Sequence, residues 1–448
     1  MKDEFVIHGG TLVTDEAVVV ADVRIVDGRI AEIGPGLGGT KSGEIDAAGC
    51  WVLAGVVDGH VHFNEPGRTE WEGFATGSRA LAAGGGTTFV DMPLNASPPT
   101  VDRAAFELKK AAGEASSGLD FGLWGGLVPG NEGELAGLAD CGVVGFKAFM
   151  IDSGITDFPG VDTVTLRAGM KRAAELGLPV AVHAEDAEIV GQRTAAIRAE
   201  GRTDARAFLD SRPVESEVEA VRVALDVAGE TGCSLHVVHV SCEEAAAAIL
   251  DAKGGGADVT FEVCAHHLLL DESVMIERGA VAKCAPPLRP VATIRAMQKL
   301  LEAGRVDLVG SDHSPAPPEL KSGDDLFAAW GGIMGCQHGF LLLLEWALAT
   351  NPRELPRIWR ALTVDASRRL GLPKRGLEIG ADADVIVVAM GDRRAIERGD
   401  LRYRHATSPY VGRELGLRLR ESFLRGQSLT GGETKGRFLP RVGRLTRP

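Results

Sequence analysis

From Trp51 onward the chain alternates two patterns. One is a short, almost unbroken apolar run ended by a polar residue. The other is a longer stretch in which apolar positions recur every three or four residues. The apolar runs are "WVLAGVVDGHVH", "GTTFVDMP", "FGLWGGLV", "VVGFKAFM", "LPVAVHAED", "SLHVVHVS", "VTFEVCAHH" and "VDLVGSDHS", eight in all. The periodic stretches include "TLRAGMKRAAELG" and "VESEVEAVRVALDVAGETG". Continuous apolar strands separated by helices imply a parallel sheet covered on both faces. Eight such units over about 250–300 residues fit a (β/α)8 barrel, so the expected fold class is α/β. The two ends read differently. "FVIHGGTLVTDEAVVVADVRIVDGRIAEIGPG", "GLEIGADADVIVVAM" and "SFLRGQSLTGG" are short β-rich runs punctuated by Gly and Asp-Gly, which predict hairpins. The Pro- and Gly-rich stretch "SPAPPELKSGDDLFAAWGGIMGCQHG" is long for a connector and is expected to form part of a pocket.

Composition narrows the class of partner. The chain has 448 residues, 45% hydrophobic and 25% charged, with a net charge of −14. It carries no basic tract, so nucleic acid and anionic membrane are poor partners and a small-molecule substrate is expected. No apolar run is long enough to cross a bilayer, and the N-terminus lacks the apolar core of a secretory signal. Seven dispersed cysteines without a CxxC pair read as reduced thiols, which points to the cytoplasm.

The candidate chemistry lies at the ends of the apolar runs, where barrel enzymes hold their active sites. His60 and His62 end the first strand, His183 the fifth, His239 the sixth and Asp312 the eighth, while Lys147 lies inside the fourth. Residues two apart on a strand share a face, so His60 and His62 can project together into the barrel mouth. A single histidine at a strand end is ordinarily a hydrogen-bonded polar residue. Four of them with an aspartate at one rim make a candidate metal site. An ammonium at Lys147 would be repelled by such metals. Carboxylated by carbon dioxide, the same side chain becomes an anion able to bridge two dications. His313 and His236 fall on the opposite strand face and are expected to be structural, as are His266 and His267; His338 in the long loop is left open. Glu65, Glu185 and Glu262 are candidate partners for the ligand imidazoles.

This set of residues resembles the amidohydrolase superfamily, and more narrowly the cyclic amidohydrolases: dihydroorotases, hydantoinases (dihydropyrimidinases) and allantoinases. "HVHFNEPGRTEWEGF", "DMPLNASPPT", "SDHSPAPPELK", "AWGGIMGCQHG" and "YRHATSPYVG" look like the allantoinase forms of these loops. The resemblance spans essentially the whole chain. It implies that the two ends join in one small β-sandwich, giving residues 1–53 and 374–448 to the sandwich and tail and 54–373 to the barrel. It implies two divalent metals per subunit, zinc first, with iron, cobalt or manganese as alternatives. His60, His62 and Asp312 would hold one metal, His183 and His239 the other, with carboxylated Lys147 (N6-carboxylysine) between them. Asp312 would carry the proton, and the reaction would open the hydantoin ring of allantoin to allantoate, in purine breakdown. Asn64 stands where dihydroorotases usually carry a carboxylate-binding Arg, so Asn64, Asn95 and Ala285 become candidate substrate-binding residues. Ala285 also replaces a serine common in relatives ("CAPP" for "CSPP"), which bears on substrate preference. A homotetramer is implied by the same resemblance. The alternatives are a hydantoinase or dihydropyrimidinase, a one-metal deaminase that would not need Lys147, and a non-catalytic scaffold.

Overall fold

A computed structural model describes residues 4–38, 43–430 and 434–443. The N-terminal hairpins form β1 (Glu4–Val13), β2 (Val18–Val26), β3 (Arg29–Gly34), β4 (Glu44–Asp46) and β5 (Cys50–Ala54). The Asp27–Gly28 pair joins β2 to β3 with both residues at positive φ, 50° and 78°. That is the backbone an Asp-Gly hairpin turn requires.

The barrel strands follow: β6 (Val56–Val61), β7 (Gly86–Asp91), β8 (Asp120–Leu123), β9 (Gly125–Gly126), β10 (Phe146–Phe149), β11 (Val180–His183), β12 (Leu235–Val237), β13 (Val259–Cys264) and β14 (Leu308–Gly310). They pair in parallel as β6-β7-β8 and as β9 through β14 in sequence order. The two ladders close on each other. At one seam the Val144 N–H donates to the Leu123 carbonyl (3.0 Å); at the other the His62 N–H donates to the His313 carbonyl (2.8 Å). From the far end of the chain come β15 (Val385–Ala395), β16 (Glu414–Leu424) and β17 (Gln427–Ser428). They complete one eight-stranded mixed sheet in the order β17-β16-β15-β5-β1-β2-β3, with β4 on β1. The sheet doubles over its own core of Ile7, Leu12, Val23, Val52, Val385 and Val387. Phe5 of β1 meets Phe423 of β16 at 5.2 Å, although β5 and β15 lie between those strands in the sheet order.

Two of the apolar runs are divided. "WVLAGVVDGHVH" reads as one strand but makes two, β5 in the sandwich and β6 in the barrel. The break is Gly55, where a Cβ would lie 2.1 Å from the Thr87 side chain, so only glycine lets the chain leave one sheet for the other. "FGLWGGLV" is likewise split at Trp124 into β8 and β9. The helices follow the periodicity. Thr163–Glu175 buries Leu166, Gly169, Met170 and Ala173, spaced as one helical face, and the Asp162 side chain caps it by accepting from Thr165 N (2.7 Å). Among the described residues no helix is long and apolar enough to cross a membrane.

Candidate metal centre and cleft

The strand ends deliver their side chains to one mouth of the barrel. Both imidazole Nε2 atoms of the His-x-His pair face Asp312: His60 Nε2 lies 3.2 Å and His62 Nε2 3.4 Å from Asp312 Oδ1. The His60 and His239 ring centres are 5.5 Å apart, and those of His183 and His239 4.6 Å apart. Lys147 and all four histidines are buried, as is Asp312. The strands end irregularly to achieve this. Five non-glycine residues among those described have positive φ; Asp27 and Arg425 sit in hairpin turns, and the other three are Asn64, His239 and Asp312. Left-handed backbone in such residues costs on the order of 1–3 kcal/mol and gathers at functional sites.

Three of the four imidazoles, those of His60, His62 and His183, are held from behind. His60 Nδ1 lies 2.5 Å from Glu262 Oε1, which leaves Nε2 for the centre. His62 Nδ1 donates to the Leu94 carbonyl (3.1 Å). His183 Nε2 lies 2.7 Å from Glu185 Oε2, and the same oxygen accepts from Arg212 at 2.5 Å. Glu185 and Glu262 are therefore placed as the sequence suggests. Glu65 is not: its carboxylate accepts from Phe74 N (2.8 Å) and starts a helix instead. His236 supports Glu262 from β12, its Nε2 3.5 Å from Oε2. His313 stacks on Tyr403 away from the mouth, and His338 begins the helix Gly339–Thr350 outside the cleft wall.

The electrostatics follow from burial opposed by neighbours. Burial lowers the pKa of His62, His183 and His239, the last also through His183 and Lys147, so these rings are neutral near pH 7. Burial pushes the Glu262 and Glu185 carboxyls up, but His60 with His236, and Arg212 with His183 and Arg289, together outweigh it and bring each down to about 2. Asp312, buried but facing His60 and His62, is held well below the usual carboxylate range. Burial brings the Lys147 amine down to about 7. Its Nζ has no hydrogen-bond partner, nor has His239 Nδ1. Neutral imidazoles and an ionised carboxylate are the donor forms that ligate a divalent cation. His60, His62 and Asp312 each offer a ligand atom within 4.8 Å of the others.

The cleft above this cluster has a volume of about 590 Å³. His60, His62, His183, His239 and Asp312 form its floor, and Asn95, Phe149, Arg212, Ala285 and the segment 327–332 line it. The long Pro/Gly-rich loop thus contributes to the pocket as its composition suggests. Of the three candidate substrate residues, Asn95 and Ala285 face the cleft. Asn64 is buried beneath it, with Nδ2 donating to the Pro315 carbonyl (3.1 Å). Arg212 and Phe149, whose ring stacks 4.6 Å from His183, carry no sequence signal of their own. Arg212 closes a helix far along the chain, and only the fold brings it to Glu185.

Glu262→Gln is expected to weaken metal binding by roughly 10–100-fold, because the His60 ring loses the carboxylate that aims it. Metal titration of the apo variant beside the parent measures this; equal affinities would show that Glu262 orients nothing.

A closed parallel barrel with histidines and a carboxylate at the C-terminal ends of its strands, and a buried lysine inside one of them, is the architecture of a barrel enzyme. Residues 51–413 match the Amidohydrolase family, and the chain belongs to it. It is similar to the allantoinase of Solibacter usitatus, 51% identical over 95% of this chain and 93% of that one. It is similar also to the allantoinase of Rubrobacter xylanophilus, 47% identical over 99% and 98%. Among solved structures it resembles the L-hydantoinase (dihydropyrimidinase) of Arthrobacter aurescens, with TM-score 0.93 and 30% identity over 98% of this chain and 100% of that one. The dihydropyrimidinase of Brevibacillus agri gives 0.91 and 27% over 99% and 100%.

Proposed function

We propose that this protein is a metal-dependent cyclic amidohydrolase that opens the hydantoin ring of allantoin with water to give allantoate, a step of purine breakdown. The observation that carries the reading is the near full-length identity of 41–51% to allantoinases. Hydantoinase is the second reading, favoured by the solved structures, whose identity is lower.

In this reading His60, His62 and Asp312 would hold one divalent cation and His183 and His239 the other. Lys147, carboxylated on Nζ by carbon dioxide with loss of one proton, would supply a further anionic donor to the pair. An unpartnered amine brought to about 7 supports that chemistry, because the neutral form adds to carbon dioxide. Zinc is the first choice of metal, with iron, cobalt and manganese also suited to His/carboxylate donors. When bound, the cations acidify water and polarise the ring carbonyl. Asp312 accepts the proton released as water oxygen bonds to the carbonyl carbon. It returns that proton to the ring nitrogen as the C–N bond breaks. Asn95 and Arg212 line the path along which the ring and its ureido arm enter, and Ala285 supplies backbone rather than a hydroxyl. Seven unpaired cysteines support a reducing, cytoplasmic setting. A homotetramer is the proposed assembly, by family resemblance.

The test is allantoate formation by the purified protein, assayed beside hydantoin and dihydrouracil. Ring opening fastest on allantoin, with about two ions per chain, is expected. Preference for hydantoin would replace this reading with the second. Chelation is expected to abolish turnover, and zinc with bicarbonate to restore it; activity unaffected by exhaustive chelation would remove metals from the reaction.

A further inference from the structure

Beside the catalytic cluster lies a second group of donors that the reaction above does not use. Cys264 ends β13, and His266 and His267 occupy the first turn of the short helix Ala265–Leu269. The sequence pattern suggests a structural role for both histidines. Their surroundings do not supply one for His266: it is 1% exposed, and neither ring nitrogen has a hydrogen-bond partner. The Ser311 main chain approaches it without completing a hydrogen bond. His267 Nε2 lies 3.1 Å from the Pro286 carbonyl, so Nε2 carries the proton and the free lone pair is on Nδ1, which is unpartnered. Fixing one nitrogen on a carbonyl is how proteins aim the other at a metal.

We propose that Cys264, His266 and His267 form a third cation site, for one zinc-class d10 ion, set behind the cleft wall. One ligand atom from each lies within 4.8 Å of the others. Tetrahedral zinc with sulfur and nitrogen donors needs separations of roughly 3.3–3.7 Å, so side-chain rotations of the order of an ångström close the site. A thiolate with two imidazoles selects soft or borderline d10 ions over magnesium or calcium. Burial keeps His266 and His267 neutral, the form that ligates, and holds Cys264 as a thiol, so binding releases a proton. The segment Cys284–Pro286 separates the site from the cleft: Cys284 and Ala285 line the cleft on one side, and the Pro286 carbonyl holds His267 on the other. The nearby Asp312 and Glu262 carboxylates favour a cation there. The site is independent of the activity assigned above, since none of its three residues belongs to the proposed catalytic pair.

The test uses the metal-loaded holoprotein titrated with cadmium, read by the ultraviolet thiolate-to-cadmium charge-transfer band. The catalytic cluster holds no cysteine, so cadmium exchanging into it adds no such band. The expected result is one further equivalent bound with the band present, the band lost in Cys264→Ala, and affinity reduced about tenfold or more in His267→Ala. No band in the parent, or a band unchanged in Cys264→Ala, would overturn the proposal. Should Cys264→Ala not fold, His266→Ala and His267→Ala give the same reading: a band of undiminished affinity in both is equally fatal.

Discussion

Lys147→Met is expected to abolish ring opening, by at least about 10³-fold or roughly 4 kcal/mol of transition-state stabilisation, while leaving the apo protein at least as stable. The two outcomes have one cause. Lys147 lies on the inner face of β10, fully buried, and its amine meets no acceptor. The aromatic face of Phe149 lies 4.9 Å away. A buried ammonium without a hydrogen bond is costly to folding, and methionine fills nearly the same volume without that cost. The amine is therefore poorly explained as a structural residue, and in the proposed reading it is the attachment point of a carboxylate. Steady-state kinetics, metal content and thermal unfolding of the apo form check both parts. A variant that keeps its turnover, or one that loses stability with the metal absent, would mean that Lys147 serves packing.

Asp312→Asn is expected to lose a comparable factor, but with a dependence on the substrate that Lys147→Met lacks. Asp312 Oδ1 is the point on which His60 and His62 converge. The amide keeps the shape and removes both the charge and the proton-carrying oxygen. General acid–base catalysis contributes about 10²–10⁴-fold, and that share falls when the leaving nitrogen needs less help. Against a cyclic imide, whose departing nitrogen is less basic, the deficit of Asp312→Asn should shrink, whereas that of Lys147→Met should not. Equal deficits on both substrates, measured at saturating metal, would reduce Asp312 to a ligand without a proton-transfer role.

Much of the site was readable because strand ends in a parallel barrel converge by construction. The His60–His62 pair, His183, His239 and Asp312 are far apart in the chain. Each nevertheless closes an apolar run, and the closure of β6 against β14 through His62 and His313 brings them to one rim. Lys147 was readable for the opposite reason: a lysine in an apolar strand is an anomaly that burial alone does not explain. Glu262 gave the same kind of signal in "VTFEVC", and the fold turns it toward His60. Arg212 gave none, because a surface-like arginine at a helix end looks the same whether or not a buried carboxylate waits for it. Asn64 misled in detail. Its place beside the His-x-His pair suggests a substrate contact, yet positive φ turns the backbone there and sends the amide to Pro315, beneath the cleft.

The order of apolar runs and helical periods, by itself, determined a parallel barrel with polar residues at its strand ends, because periodicity and burial are local properties of the chain. Which nitrogen of each histidine faces inward, which carboxylate stands behind it, and where one long strand breaks at Gly55 were decided only in three dimensions. Those features depend on contacts between segments tens to hundreds of residues apart, such as His60 with Glu262 and Gly55 with Thr87, and no local pattern encodes the distance between them.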